Sequence, residues 1–196
     1  MKQLMTSALA AAALSLSAPA LAAEWQIDPA HTRIEFSIPH LTISMVEGQF
    51  TKYDAKIMLD DDKLKASTVS IEIDVDSVDT GVEKRDNHLK SADFFDAGKF
   101  PKMTFESTSF AKKGKGAVVK GKLTIKGVTK PVTLTVDKLS KPITDPWGLT
   151  RRGIHATTTI DRTDFGINFD TMVPDVGLMV GKKVKIDLTL EVTEKK

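Results

Sequence analysis

The chain has 196 residues, of which 41% are hydrophobic and 28% charged, and this composition is typical of a globular domain rather than a disordered, fibrous or polytopic membrane protein. Its 28 Lys plus Arg nearly balance 26 Asp plus Glu, and the formal charge of +2 is too small for the basic surface that nucleic-acid binding requires. The sequence has no cysteine, which excludes disulfides, thiolate metal sites and cysteine nucleophiles. We therefore expect one domain with a sizeable core and no nucleic-acid partner.

The first 22 residues differ in character from the rest. Lys2 precedes an Ala/Leu-rich run over Leu4–Leu16, and Ala20–Ala22 forms an Ala-x-Ala cleavage site. This order is typical of a secretory signal peptide, and the apolar run is shorter than the roughly 20 residues of a membrane-spanning helix. We predict cleavage of residues 1–22 after Ala22, a periplasmic location, and a mature domain of residues 23–196 without a transmembrane segment.

Beyond that segment, apolar and polar residues alternate in run after run. Alternation with period two indicates half-buried strands, and it favours an antiparallel sheet with one face in water. Turn residues such as Lys126-Gly127 separate the runs. About eight strands are present, which is enough for a sheet to close into a barrel, so we predict an all-β, eight-stranded antiparallel β-barrel. The predicted strands are Ile34–Ile38, Gln49–Leu59, Val69–Val75, Met103–Phe110, Val119–Ile125, Val132–Val136, Leu149–Ile160 and Val184–Val192.

Two segments break the alternation. Gly81–Gly98 follows Asp79 and Thr80, whose side-chain oxygens suit a helix N-cap, and we predict one short helix followed by an aromatic loop. Thr171–Gly181 is unusually apolar for a loop. Because loops are normally polar, we expect this segment to cover an apolar interior.

The sequence lacks the motifs of common enzymes. It contains no Gly-x-Ser-x-Gly elbow, no phosphate-binding P-loop and no dinucleotide-binding glycine motif. Its four histidines, His31, His40, His88 and His155, lack the spacing of paired metal ligands. We expect His31 and His155 to lie in strands as structural side chains. The sequence therefore predicts no catalytic residue, no metal site, no cofactor and no enzymatic activity.

Large apolar side chains exceed what a minimal core needs, and they come from strands and from the two irregular segments. Ligand sites are concave, mostly apolar and often placed at the mouths of β-barrels, although the same residues could simply fill the interior. Flexible methionines suit an irregular apolar ligand, and cationic side chains can orient a polar head group. The head-group candidates are Arg33, Arg85 and His88. The predicted apolar site consists of Phe36, Ile38, Phe50, Phe94, Phe95, Phe105, Trp147, Phe165, Phe169, Met172 and Met179.

Five segments spread over nearly the whole mature chain carry a family resemblance. They are Trp25–Thr32, Arg85–Asp96, Phe100–Pro101, Gly121–Val132 and Asp161–Gly166. Together they resemble the YceI-type, polyisoprenoid-binding periplasmic proteins. The resemblance implies a lipocalin-like barrel with a helix, an isoprenoid or other long apolar chain in the lumen, and no catalytic residues. It also implies that Phe94 and Phe95 pack at the cavity, while Arg85 and His88 hold the helix and loop to the barrel or approach the head group.

Three functions are consistent with these features. The first is a carrier for a polyprenyl lipid or quinone: at roughly 0.8 kcal/mol per buried CH₂, ten chain carbons contribute about 8 kcal/mol before the costs of ordering. The second is a stress-protection or adhesion protein with a filled barrel and no physiological lipid. The third, a lipid-modifying enzyme, is disfavoured because no nucleophile, base and orienting group occur together. Both a monomer and a homodimer are compatible with the sequence.

Overall fold

A computed structural model describes residues 22–195; the predicted signal peptide, apart from Ala22, lies outside the described residues. Within them the chain forms one α-helix, α1 (Glu83–Lys90), three short 3₁₀ helices and fourteen strands. The 3₁₀ helices are Leu64–Ala66, Val75–Ser77 and Arg162–Phe165. The strands are β1 (Ala23–Ile27), β2 (Arg33–His40), β3 (Ser44–Phe50), β4 (Tyr53–Leu59), β5 (Thr68–Asp74), β6 (Val78–Asp79), β7 (Lys102–Lys113), β8 (Gly116–Ile125), β9 (Val128–Leu139), β10 (Ile143–Thr144), β11 (Thr150–Asp161), β12 (Met172–Val173), β13 (Gly177–Leu178) and β14 (Lys183–Glu194).

Antiparallel pairing closes the sheet into a ring in the order β1, β4, β5, β7, β8, β9, β11 and β14, with β14 returning to β1. The second edge of β14 is shared, because β1 pairs with its C-terminal end and β2 with its N-terminal half. β3 pairs with β2, and β6 with β3. The predicted closed, eight-stranded antiparallel barrel is confirmed. Three of its eight wall positions are each formed by two successive strands, namely β1 with β2, β3 with β4, and β5 with β6.

The barrel has two distinct ends. We call the upper end the one that carries α1, the β2–β3 turn, the β8–β9 turn and the loop 166–182. The lower end carries the loop 60–67, the β7–β8 turn and the β10–β11 turn. This assignment follows from the antiparallel course of the strands, since β7, β9 and β14 run downward and β8 and β11 run upward.

The period-two pattern places one face of each strand inside. On β8, Val119 and Ile125 are buried, whereas the alternating Lys120 and Lys122 are exposed; β9 and β14 repeat the pattern with Leu134 and Leu188. Each fully buried aliphatic side chain contributes about 1.5–3 kcal/mol. The core is therefore the barrel lumen itself.

Two predicted strand assignments are wrong. The stretch Gln49–Leu59 is two strands, because Thr51 turns out of the ladder and both its N–H and its hydroxyl donate to the Ser77 carbonyl. His31 lies in a turn rather than a strand: its N–H donates to the carbonyl of Asp28, and its Nδ1 lies 3.0 Å from Asp28 Oδ2.

The helix α1 is present within the segment where it was predicted, but its N-cap is different. Val82 occupies the cap position without a side-chain bond. Asp79 instead accepts from the Gly81 N–H, and Thr80 is bonded to the helix residue Asp86. No helix among residues 22–195 combines the length and apolar character needed to cross a membrane.

A charged row crosses three neighbouring strands on the outer face. His155 of β11 lies between Asp137 of β9, with Nδ1 to Oδ1 at 2.5 Å, and Asp187 of β14, with Nε2 to Oδ1 at 2.9 Å. The hydrogen bond with Asp137 raises the pKa of His155 above its usual 6.5; partial burial opposes the rise, and Asp187 adds to it. The same contact lowers the pKa of Asp137.

The row predicts a pH dependence of stability. Because the pKa of His155 is raised in the folded state, its contribution is fully present below the unfolded value and is lost as pH rises through the folded one. We expect His155→Gln to lower the melting temperature more at pH 5.5 than at pH 9. Thermal melts of both proteins at the two pH values test this, with His40→Gln as the control, since His40 makes no ion pair within residues 22–195. An equal loss at both pH values would contradict the assignment.

Candidate functional site

The upper half of the barrel encloses a cavity of about 160 Å³. Its lining is apolar except for Glu35, Thr158 and Arg162. Of the residues predicted for the ligand site, the structure places seven around this cavity: Phe36, Ile38, Phe50, Phe94, Phe95, Phe105 and Phe165.

Most of the remaining lining is aliphatic and is not among the residues predicted from the sequence, which are mainly aromatic. The alternation of the strands carried the signal, because these side chains occupy the same inward positions as the aromatic ones. They are Ile34, Ile71, Ile73, Met103, Leu123, Ile125, Val132, Leu134, Ile160, Val184, Ile186 and Leu188 from the strands, with Leu89 of α1 and with Ile167 and Val180 of the upper loop.

A second apolar cavity of about 60 Å³ lies below the first. Ile71, Phe105, Leu134 and Leu188 line both cavities, so these four side chains form the partition between them. The Phe105 ring packs against the backbone of Gly121, where an added Cβ would lie 2.3 Å from its Cζ. Gly121 thus leaves the space that the Phe105 ring occupies.

Aromatic side chains cover the upper cavity. The ring centroids of Phe36 and Phe50 are 5.8 Å apart, as are those of Phe50 and Phe95. Phe94 contacts Phe169 at 4.9 Å, and Phe169 lies outside the cavity lining, on the outer side of this cover. The cover therefore joins the helix and its following loop to β2, β3 and the upper loop.

Arg162 is the most strongly engaged polar side chain of the upper end, and it was not among the predicted site residues. It is 3% exposed, and its guanidinium donates to the carbonyls of Ile167, Phe169, Val180 and Gly181 at 2.6–3.0 Å. These four bonds fasten both ends of the upper loop to the end of β11. The guanidinium is thus bonded to backbone carbonyls. In the sequence, Arg162 was marked only as part of the family-like segment Asp161–Gly166.

Besides Phe169, three apolar residues predicted for the site lie outside the cavity lining. Trp147 is 80% exposed at the lower end, and Met172 is 65% exposed on β12, because both stand on hairpins that extend away from the lumen. Met179 is half-buried outside the lining, where its backbone bonds to Leu41 and Thr171. The upper loop covers the lumen as expected, but it does so through Ile167 and Val180.

The head-group candidates do not converge. Arg33 alternates with the inward Ile34, so it points outward and pairs with Glu35 at 3.7 Å. Arg85 donates to the hydroxyl and carbonyl of Thr80, which fixes the start of α1. His88 packs edge-on against Phe94 and Phe169, outside the cavity lining, and its Nε2 lies 2.9 Å from Asp93.

One group among the described residues brings metal-ligating atoms together, at the lower end: Asp28, His31 and Glu191. The guanidinium of Arg151 donates to Asp28 and to Glu191, and its hydrogen bond, followed by that of His31, holds the pKa of Asp28 below its usual value. Arg151 therefore already supplies the positive charge that a cation would bring.

A family model for the YceI-like domain matches residues 25–192. A UPF0312 protein of Pseudomonas paraeruginosa is 39% identical over 172 residues, which are 87% of this chain and 90% of that protein. The solved structure of BcnA from Burkholderia cenocepacia is 27% identical, covers 84% of this chain and 98% of its own, and gives a TM-score of 0.73. A polyisoprenoid-binding domain from Saccharophagus degradans shares the fold at 17% identity and a TM-score of 0.61, covering 90% of this chain and 100% of its own.

The packing of Phe105 on Gly121 predicts a costly substitution. We expect Gly121→Ala to destabilise the protein by about 1–3 kcal/mol, since overpacking a filled site forces the ring to move. Adding Phe105→Leu should recover part of the loss, because the two sites are in contact. Chemical denaturation of the single and double variants measures this. Gly153→Ala is the matched control, since its nearest neighbour would be Ser140 Oγ at 4.0 Å; equal losses at both glycines would contradict it.

The hydrogen bonds of Arg162 predict a second effect on stability. Replacing Arg162 with Met leaves four loop carbonyls without their donor, and we expect a loss of about 2–4 kcal/mol in the free energy of unfolding. Hydrogen exchange within residues 167–181 should accelerate first. Arg33→Met, at an exposed site, should change stability by no more than about 0.5 kcal/mol. Unchanged exchange in the upper loop of the Arg162 variant would refute its role as the fastener.

Proposed function

Because the chain belongs to the YceI-like family, we propose that it is a periplasmic binding protein that holds a long apolar isoprenoid lipid, a polyprenyl chain or a quinone, in its barrel without chemical change. The observation that carries the proposal is the cavity of the upper barrel, whose lining is almost wholly apolar. Such a lining favours hydrocarbon, since a polar group buried there would lose its hydrogen bonds to water.

The lining also indicates which part of the ligand enters the lumen. The guanidinium of Arg162 is bonded to four carbonyls, Glu35 is paired with Arg33, and Thr158 is a lone hydroxyl among apolar neighbours. The lipid tail therefore occupies the lumen and its polar head stays at the upper end. Arg85 and His88 remain candidates there only if the head replaces their contacts with Thr80 and Asp93.

The volume sets a condition on this binding. A cavity of about 160 Å³ is smaller than the roughly 300–1,000 Å³ of usual ligand pockets. A long tail needs more room, and the space nearest at hand is the second cavity behind the partition. We propose that tail entry turns Phe105 aside and joins the two spaces. The polyisoprenoid binding named for the Saccharophagus degradans domain supports this ligand class.

The small volume also favours a second candidate, a filled barrel that serves in stress protection or adhesion and has no physiological lipid. The two candidates differ in what the purified protein contains. Organic extraction of natively purified protein, followed by mass spectrometry, is expected to yield an isoprenoid or quinone, and added quinone is expected to bind to the delipidated protein. Absence of both would favour the filled barrel.

Two substitutions locate the ligand. Phe105→Asp should abolish lipid retention and destabilise the fold, because it buries an unpaired carboxylate. Ile38→Trp narrows the half-buried upper part of the lining and should reduce quinone binding while the barrel stays folded. Ile43→Trp is the matched control, because Ile43 is 81% exposed at the same end. Equal lipid content in the Ile38 and Ile43 variants would show that the tail does not enter here.

A further inference from the structure

The lower end carries a second feature that the lumen does not explain. The β10–β11 hairpin presents Ile143, Trp147 and Leu149, whose exposed fractions are 65%, 80% and 39%. Its tip lies beyond the last pair of the barrel ladder, Arg151↔Thr193. An exposed cluster of large apolar side chains marks an interaction site. We call residues 138–151 the lower arm.

The lower arm is held rigidly. Asp145 Oδ1 accepts the N–H groups of Trp147 and Leu149 at 2.9 and 2.8 Å. Asp145 Oδ2 accepts from Arg151 Nε, and Arg151 Nη1 in turn donates to Asp28 and Glu191 on the barrel wall. The backbone of the arm is thus fixed in place before any partner arrives, and a preorganised backbone loses little conformational entropy on binding.

Lysines surround the lower arm. Lys138 and Lys141 belong to it, and Lys112, Lys113 and Lys115 stand on the adjacent β7–β8 turn, where Gly116 packs on the backbone of Val136 just before the arm begins. All five are exposed, and none forms a salt bridge with another residue of 22–195.

Residues 112–116 and 138–151 carry one acidic side chain, Asp145, which is paired with Arg151; Asp137 directly precedes the arm and is paired with His155. Arg151 is shared with Asp28 and Glu191, so the unpaired positive charge is that of the five lysines. The turn and the arm therefore present uncompensated positive charge around an apolar tip. Although the whole chain has a formal charge of only +2, this charge is local.

We propose that the lower arm docks the protein on an anionic lipid bilayer. Tryptophan and lysine are the side chains that favour the membrane–water interface, where the indole sits among head groups and the ammonium groups meet anionic lipid. Ile143 and Leu149 add apolar surface beside the indole. An acidic protein would satisfy the lysines, but the bilayer also accommodates the apolar tip, so the combination favours the membrane. The docking does not depend on what occupies the lumen.

The test uses a chain that begins at Ala23, which retains every described strand, with vesicles of 30% phosphatidylglycerol in phosphatidylcholine and vesicles of phosphatidylcholine alone. We expect sedimentation with the anionic vesicles, reversed by 0.5 M NaCl. The emission of Trp147 should shift to the blue, whereas Trp25, 3% exposed, is already buried. Trp147→Ser should weaken partitioning about tenfold, and Lys113→Glu with Lys115→Glu by more than about tenfold.

Matched controls stand at the upper end. Ile43→Ser removes an equally exposed apolar side chain, and Lys84→Glu with Lys182→Glu makes the same charge change there; both should bind as the parent does. The proposal fails if binding does not require anionic lipid or if the upper-end variants lose as much. It also fails if the lower-arm variants lose binding to soluble polyglutamate but keep binding to vesicles, which would indicate an acidic protein partner. Lipid extraction from the lumen is scored separately, so the two proposals can fail independently.

Discussion

The hydrogen-bonded ladder between β11 and β14 is the constraint on which the rest of the structure depends. Its eleven residue pairs, from Arg151↔Thr193 to Asp161↔Lys183, close the sheet. Closure removes the sheet edges, and with them the unpaired backbone groups that an open sheet would present. It also decides the face of every residue, because a slip of one residue in the ladder would turn all inward side chains outward. The lumen exists because this register holds.

Closure of the sheet leaves the barrel open at two ends, and at each end a buried arginine binds the backbone of the covering loop. Arg162 binds four carbonyls of the upper loop, while Arg152, 4% exposed at the lower end, donates to the Ser140 carbonyl and to Asp61 and lies over the Trp25 ring. Burying a guanidinium costs several kcal/mol unless its donors are satisfied. Backbone carbonyls satisfy them at the upper end, and the Ser140 carbonyl together with Asp61 does so at the lower end, which fixes the loops without placing a free charge in the apolar lumen. The buried indole Nε1 of Trp25 has no hydrogen-bond partner among residues 22–195, so polar satisfaction within that part of the chain is less complete at the lower end.

The inward faces of the strands could be predicted because alternation is local: Val119 and Ile125 face inward for the same reason that Lys120 and Lys122 do not. The same rule indicates that Arg33 points outward, since it precedes the inward Ile34. Its charge alone made it a head-group candidate. Residues in loops show no such alternation, so their orientation cannot be predicted in this way. The sequence placed Trp147 and Met172 by hydrophobicity alone, and both are exposed. The role of Arg162 depends on carbonyls up to nineteen residues away, which only the folded loop brings together.

The proposed tail binding requires a barrel that is stable when empty and can admit a tail, and Phe105 and Gly121 suit both requirements. A ring that partitions the lumen contributes buried apolar area and keeps the two cavities small, so the empty protein loses little packing energy. Because its neighbour is a glycine, the ring rests on backbone and has no interlocked side chain on that side. Its displacement then exposes no side chain to water as long as hydrocarbon replaces it. The ligand tail would restore the contacts that the ring gives up, and the cost of opening is met only when a tail is present.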